Sequence, residues 1–433
     1  MAFADTLPDN VRKRSRFFAI ASTIFGCVPE IIVDSNSLLI IYIVMLGGSE
    51  VFSMFSSSIS SIASLFMLIP FAGVAARVGL KKTNTISCFL AGASFLIMTA
   101  APYIGSWGCY LVIASMFLFA VTRPLYTSCW YPMLDSMLQS HERSSFFGRM
   151  RFTYMVFNTC LLFLYSKILG ASPSMLLIQC ILVFAGFMAV GRKYCMDQMA
   201  VDPAAATEDK LKVTHALGIC LKNSPLVGFS IYMCFLNLAF AAAAPLGIIY
   251  MKNFLKFGAD VIVLITTMEL IGKIAGYAVM NKVFKTCGMC FLILFTHLLA
   301  FLVCLLLFLS FPFFSKVTCL LGTAFFFSGV TGAFLLCISS MEMLALARPG
   351  NKIMAMAFCG TSTGLGTAIG RLGTTVILGC TVFQTKWEVW GVELTKYHFL
   401  FAFFCFFILF VTVLFPMVPA IISRHEDYYN PAK

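Results

Sequence analysis

TNTISCFLAGASFLIMTAAPYIGSWGCYLVIASMFLFAVT, residues 83 to 122, runs for 40 residues without one Asp, Glu, Lys or Arg. As a single α-helix it would be about 60 Å long, twice the roughly 30 Å hydrocarbon thickness that about 20 helical residues cross. The Pro/Gly/Trp cluster from Pro102 to Gly108 supplies a turn near its middle. The stretch therefore reads as two membrane-crossing helices joined by a short loop.

The same reading extends in both directions. Further charge-free stretches occupy 51 to 76, 168 to 191, 223 to 251, 286 to 315, 317 to 341 and 397 to 423. Twelve spans fit, at 17 to 46, 51 to 75, 84 to 104, 109 to 136, 150 to 170, 174 to 191, 225 to 250, 258 to 281, 288 to 310, 315 to 342, 352 to 382 and 397 to 420. Continuous apolar blocks of this length are helical, because barrel strands need only about ten alternating residues. The composition agrees: 60% hydrophobic and 11% charged over 433 residues excludes a soluble globule. The expected fold class is an all-α integral membrane protein of twelve transmembrane helices.

Lys and Arg set the orientation. In this layout 21 of the 30 basic residues fall on the side that holds both termini, 6 on the other, and Arg123, Lys273 and Arg371 inside spans. Both termini are expected in the cytoplasm, with the chain in the cell (inner) membrane. The same bias accounts for the net charge of +12 through contact with anionic lipid, so no nucleic-acid partner is called for. The 17 cysteines are scattered like small apolar fillers, Cys287 and Cys290 form a chance Cys-x-x-Cys, and no cleavable signal peptide is expected.

The chain is organised in halves. The hydrophilic segment 192 to 222 separates six spans (1–191) from six (223–433), the first and last being helical bundles and the middle a cytoplasmic loop. Corresponding turns match in character: HERSSFFGRMRF at 141 to 152 and RPGNKIMAMAF at 348 to 358 are both short and basic. Parallel halves are a transporter signature. An enzyme would need clustered catalytic groups, whereas the five histidines, His141, His215, His297, His398 and His425, are dispersed. No phosphate-binding loop and no cofactor or metal motif is present in the sequence.

With Arg77, Gly79 and Lys81 in register after the second span, the chain resembles the major facilitator superfamily. Ala72 and Ala76 stand where that family's motif usually has a glycine and an Asp. The resemblance implies two pseudo-repeated six-helix bundles. The turn between spans four and five is similar to that of the glycoside-pentoside-hexuronide symporters, the melibiose-carrier branch, in the order Asp135, Glu142, Arg143, Arg151 and Phe152. It implies that Trp130 and Arg151 lie at a sugar site and that Glu142 and Arg143 act with Arg77, Gly79 and Lys81 in gating. Tyr126 replaces the Asp that those carriers place before the Trp, and the second span has no acid, so sodium coupling of their kind is not expected.

Charges inside the bilayer cost about 2.5–3.5 kcal/mol each at a helix centre and mark cavities or partners. Glu30 and Asp34 share one face of span one, a turn apart, and the pair suits proton exchange. In the resembled fold Arg123 of span four becomes their countercharge. Glu269 and Lys273 of span eight are spaced to neutralise each other. Arg371, in GTSTGLGTAIGRLG (360–373), either binds substrate or pairs across the bundle. Two small-xxx-small pairs, Gly360 with Gly364 and Gly366 with Gly370, permit close helix contact there. Tyr126 and Trp130 are suited to stack on a sugar. The expected function is secondary active transport of a small solute, a sugar or glycoside, with proton coupling; the alternatives are transport of a small organic anion, with Arg123, Lys273 and Arg371 as substrate-binding candidates, and a non-transporting sensor or scaffold.

Overall fold

A computed structural model describes residues 6–135, 137–138, 143–201, 213–311, 316–346, 352–380, 387–389 and 392–415. Glu142 lies outside the described residues, as do the side chains of Arg77 and Arg143.

The apolar blocks form helices throughout. The first span is α1 (Asp9–Ser35) followed by α2 (Ser37–Met45), and spans two to six are α3 (Glu50–Val78), α4 (Leu80–Met98), α5 (Gly108–Asp135), α6 (Arg143–Leu169) and α7 (Met175–Asp197). After a short helix α8 (Val213–Leu221), the seventh span is α9 (Ser224–Phe240) with α10 (Ala243–Asn253). Spans eight and nine belong to one long element, α11 (Ala259–Phe308), interrupted at Gly288, whose φ of 78° no L side chain adopts readily. The last three are α12 (Val317–Leu346), α13 (Lys352–Gly379) and α14 (Lys396–Leu414). Ten of these segments are long and apolar enough to cross a membrane; α4 and α13 complete the set. A hairpin of β1 (Trp387–Val389) and β2 (Val392–Leu394) precedes α14.

The sixth span runs past the expected end at 191 to Asp197. Ser174 caps its start by accepting a bond from the Leu177 amide, and no proline follows until Pro203, so nothing in the sequence stops the helix at Gly191. The first and seventh spans are both broken, at Asn36 (φ 56°) and at Ala241–Ala242. In many secondary transporters, discontinuous helices near the bilayer midplane form the binding sites. Asn36 exchanges side-chain hydrogen bonds with Ser56 of α3. Pro245 falls in the first turn of α10, where a missing N–H costs little.

Helices pack mainly within the halves: α3 and α4 on α5, α7 on α1 and α4, α12 on α11, and α13 on α9. Two large contacts cross between halves, α3 on α13 and α6 on α11, with smaller ones from α10 to α2 and α3 and from α11 to α2. Spans eight and ten approach backbone to backbone, since a Cβ on Gly272 would lie 1.9 Å from the Phe326 carbonyl oxygen. Gly366 and Gly370 likewise meet the Cys234 and Leu238 carbonyls of α9, while Gly360 faces open space and Gly364 has only a distant neighbour. Of the two small-residue pairs in span eleven, the second makes the contact.

Candidate functional site

Asp34 lies in the last turn of α1, two residues before the break, and Arg123 lies midway along α5. Their side chains form a parallel two-bond pair, Nη1 to Oδ1 at 2.5 Å and Nη2 to Oδ2 at 3.2 Å, the strongest geometry available to a guanidinium and a carboxylate. Each side chain keeps about a third of its surface accessible (33% and 37%). In the middle of a helical bundle that accessibility places the pair on the wall of an internal space. Tyr154 of α6, Lys273 of α11 and Arg371 of α13 lie within electrostatic reach of Asp34.

Glu30, one turn earlier, does not share Asp34's arginine. It pairs with Nη1 of Arg192 at 2.7 Å, and this pair is more deeply buried (14% and 11% accessible). The Arg192 guanidinium carbon sits 3.4 Å from the ring centroid of Tyr126, and Tyr126 in turn stacks on Trp130, centroids 5.5 Å apart. Gly26 opens the other side of the seat: a Cβ there would lie 2.4 Å from Cζ of Arg192. Sequence reading assigned Arg192 to the basic loop. The missed signal was the uninterrupted helical stretch beyond Gly191, which carries it back inside the bundle.

Behind these pairs lies a cavity of about 20 Å³ inside the first half, bounded by α1, α4, α5 and α7. That is room for one water molecule. Glu30, Arg123, Tyr126 and Arg192 are on its walls with Ser87, Cys88, Ala91 and Ala189.

In the second half Lys273 bonds Glu269 at 2.8 Å, the local neutralisation expected from their spacing. Arg371 is committed to backbone carbonyls on two helices: Nε donates to Ala241 O at 3.0 Å, at the break of span seven, and Nη1 donates to Ser57 O of α3. It therefore ties the two halves together.

Other cross-half bonds lie on the face opposite the amino terminus. Ser166 donates to Asp260 O at 2.8 Å, and the Ala259 and Asp260 amides donate to Ala171 O and Gly170 O at 3.0 and 2.9 Å. Glu50, at the start of α3, binds both Lys396 and Tyr397 at the start of α14. Thr266 reaches Ser37 at 3.4 Å.

The residues expected at a sugar site are placed differently from one another. Trp130 is buried in a cluster with Met133, Met150 and Met196, whereas Arg151 is exposed. No hydrogen bond or ring contact among the described residues joins them. Arg151 instead lies within electrostatic reach of Tyr277. At the turn after span two, Gly79 takes the φ of 93° that its position between α3 and α4 requires. Lys81 Nζ donates to Asp197 O at 3.1 Å, fastening span three to the end of span six.

No known protein-family model and no curated protein sequence matches the chain. Solved structures do. A point mutant of the nucleoside transporter NupG superposes with a TM-score of 0.75 at 15% identity, covering 94% of this chain and 99% of that one. A D-xylose-proton symporter gives 0.69 at 11% identity, over 94% and 98%. The inward-open xylose transporter XylE from E. coli gives 0.67 at 10%, over 96% and 98%. The likeness is one of fold, over 94–96% of this chain: two pseudo-repeated six-helix bundles, the major facilitator fold.

Proposed function

We propose that the protein is a secondary transporter that moves a small solute across the cell membrane by alternating access, its termini and the segment between Asp197 and Asn223 in the cytoplasm. The observation that carries this reading is the Asp34–Arg123 pair, accessible from inside the bundle and set beside the break of span one. A charged pair at that depth is costly to insert and is retained where charge must change during a cycle. With its outer face fastened by Glu50, Ser166 and Asp260, the molecule corresponds to a cytoplasm-facing state.

Asp34 is the coupling acid in this account. It takes a proton and releases Arg123, and the altered charge lets the halves reorient. Glu30 stays with Arg192. The solute is a neutral, hydroxylated one, a sugar or a glycoside. Among the described residues, the acids Asp34, Glu30 and Glu269 each have a basic partner and Arg371 is engaged by carbonyls, so these four charges are already met and suit a neutral solute. The similar transporters of nucleosides and D-xylose agree with that class. A second reading, a small organic anion, is favoured by Arg371 alone, whose charge is met by carbonyl dipoles and by no carboxylate in direct contact.

Thermal-shift screening of the purified protein separates the two. Stabilisation by sugars or nucleosides supports the first, and stabilisation by carboxylates only would overturn it in favour of the second.

A further inference from the structure

We infer that Glu30 is a second dock for Arg123, reached through the small cavity inside the first half, and that Arg192 is the positioning residue that holds this dock in place. The inference rests on the proposed coupling role of Asp34 and explains what the arginine does when that acid takes its proton.

The geometry begins with one guanidinium between two carboxylates. Arg123 is bonded to Asp34 on one side and lines the cavity on the other. Glu30 is on the cavity wall too, one helical turn from Asp34 on the same face, about 6 Å away in rise. A carboxylate has acceptor sites for several donors, and Arg192 occupies Glu30 through Oε1 alone among the bonds formed. A protonated Asp34 is a poor partner for a guanidinium. Stranded in a low-dielectric interior, an unpaired guanidinium is strongly unfavourable, so Arg123 needs another anion within reach of its terminal torsions. Glu30 is that anion.

Three features keep the dock ready. Gly26 leaves space for the Arg192 guanidinium, the Tyr126 ring lies beneath it, and Glu30 receives its Nη1. Fixed in this seat, Arg192 orients Glu30 toward the cavity. The other groups facing the two carboxylates are Cys27 on α1, Cys88 on α4, Tyr126 on α5, Tyr154 on α6, Lys273 with Glu269 on α11, and Arg371 on α13. Of these, Lys273 is bonded to Glu269 and Arg371 to carbonyls, which leaves Arg123 as the cation free to change partners. The step is a proton transfer from water to the Asp34 carboxylate followed by movement of Arg123, with no bond to carbon made or broken.

Trp130 reports the movement, because it stacks on Tyr126 at the cavity wall. The full-length protein, with Trp107→Phe, Trp387→Phe and Trp390→Phe leaving Trp130 as its sole tryptophan, is titrated with pH in liposomes without any solute. A step in Trp130 emission is expected, and Asp34→Asn should abolish it. Glu30→Gln, which removes the dock, should abolish it as well. Ala189→Val and Ala91→Val leave every ionisable group in place and fill the cavity; they should also lose the step while melting at or above the temperature of the background protein. An Asp34-dependent step that survives in Glu30→Gln, or in either folded cavity-filled variant, overturns the inference and leaves the coupling reading standing. Absence of any Asp34-dependent step in the background protein overturns both.

Discussion

The missing side chain of Gly26 is the space that Arg192 fills: a Cβ would lie 2.4 Å from the guanidinium carbon. An ordinary helical alanine would be preferred at an open site by about 1 kcal/mol. Here Gly26→Ala pushes Arg192 off the Tyr126 ring and away from Glu30. We expect it to lower stability by about 1–3 kcal/mol, the usual range for overpacking. Chemical denaturation in detergent measures this, and Gly26→Ala combined with Arg192→Ala should cost little more than Arg192→Ala alone, because both act on one contact.

Span eight and span ten supply a sharper contrast. Gly272→Ala sets a methyl group 1.9 Å from the Phe326 carbonyl oxygen, so two backbones must separate, and a loss of about 3 kcal/mol or more is expected. Gly360→Ala, with nothing within 4 Å of the new atom, should be neutral or stabilising by about 0.4–1 kcal/mol. Melting temperatures of the two variants measured side by side check the pair.

At the outer face, Glu50 is the single carboxylate on which Lys396 and Tyr397 converge from the other half. Glu50→Gln weakens that fastening by about 1–2 kcal/mol, a roughly 5–30-fold change in a two-state population. Spin-label distances across the outer ends of α3 and α14 should lengthen in a larger fraction of molecules. The charge exchange Glu50→Lys with Lys396→Glu should restore the short distance in part.

Arg371→Lys keeps a positive charge and loses the forked geometry that spans Ala241 O and Ser57 O. A lysine ammonium is a poor substitute at a site that bridges two acceptors. The variant should populate the outward-open state more than the unaltered protein, read by the same spin-label distances, and should do so more strongly than Lys273→Arg, whose partner Glu269 lies within the same helix.

Twelve helices and paired halves were legible in the sequence because apolar blocks of about 20 residues have one stable use in a membrane. The i,i+4 neutralisation of Glu269 by Lys273 was legible for a local reason, a shared helix face. Partner choice across helices was legible only in part, Arg123 being expected opposite the acids of span one and Arg192 not. Glu30 and Asp34 share a face, which suggested one shared countercharge, yet each has its own arginine, supplied by α7 and α5. Arg192 escaped notice because the loop was placed at the first basic residue after the apolar block. The register that points to Trp130 and Arg151 does not reveal that Arg192 packs on the Tyr126 ring beside Trp130, because side-chain direction in the bundle is not readable from spacing along the chain.

The central claim is that Asp34, through Arg123, couples a proton gradient to solute movement. Purified protein in liposomes, given an inward-acid or inward-alkaline pH gradient, is assayed for accumulation of radiolabelled D-xylose and uridine, with solute exchange at equal pH as the reference. The account predicts gradient-driven accumulation of at least one of them by the unaltered protein, and its loss in Asp34→Asn with exchange retained. Undiminished gradient-driven accumulation in Asp34→Asn would contradict it.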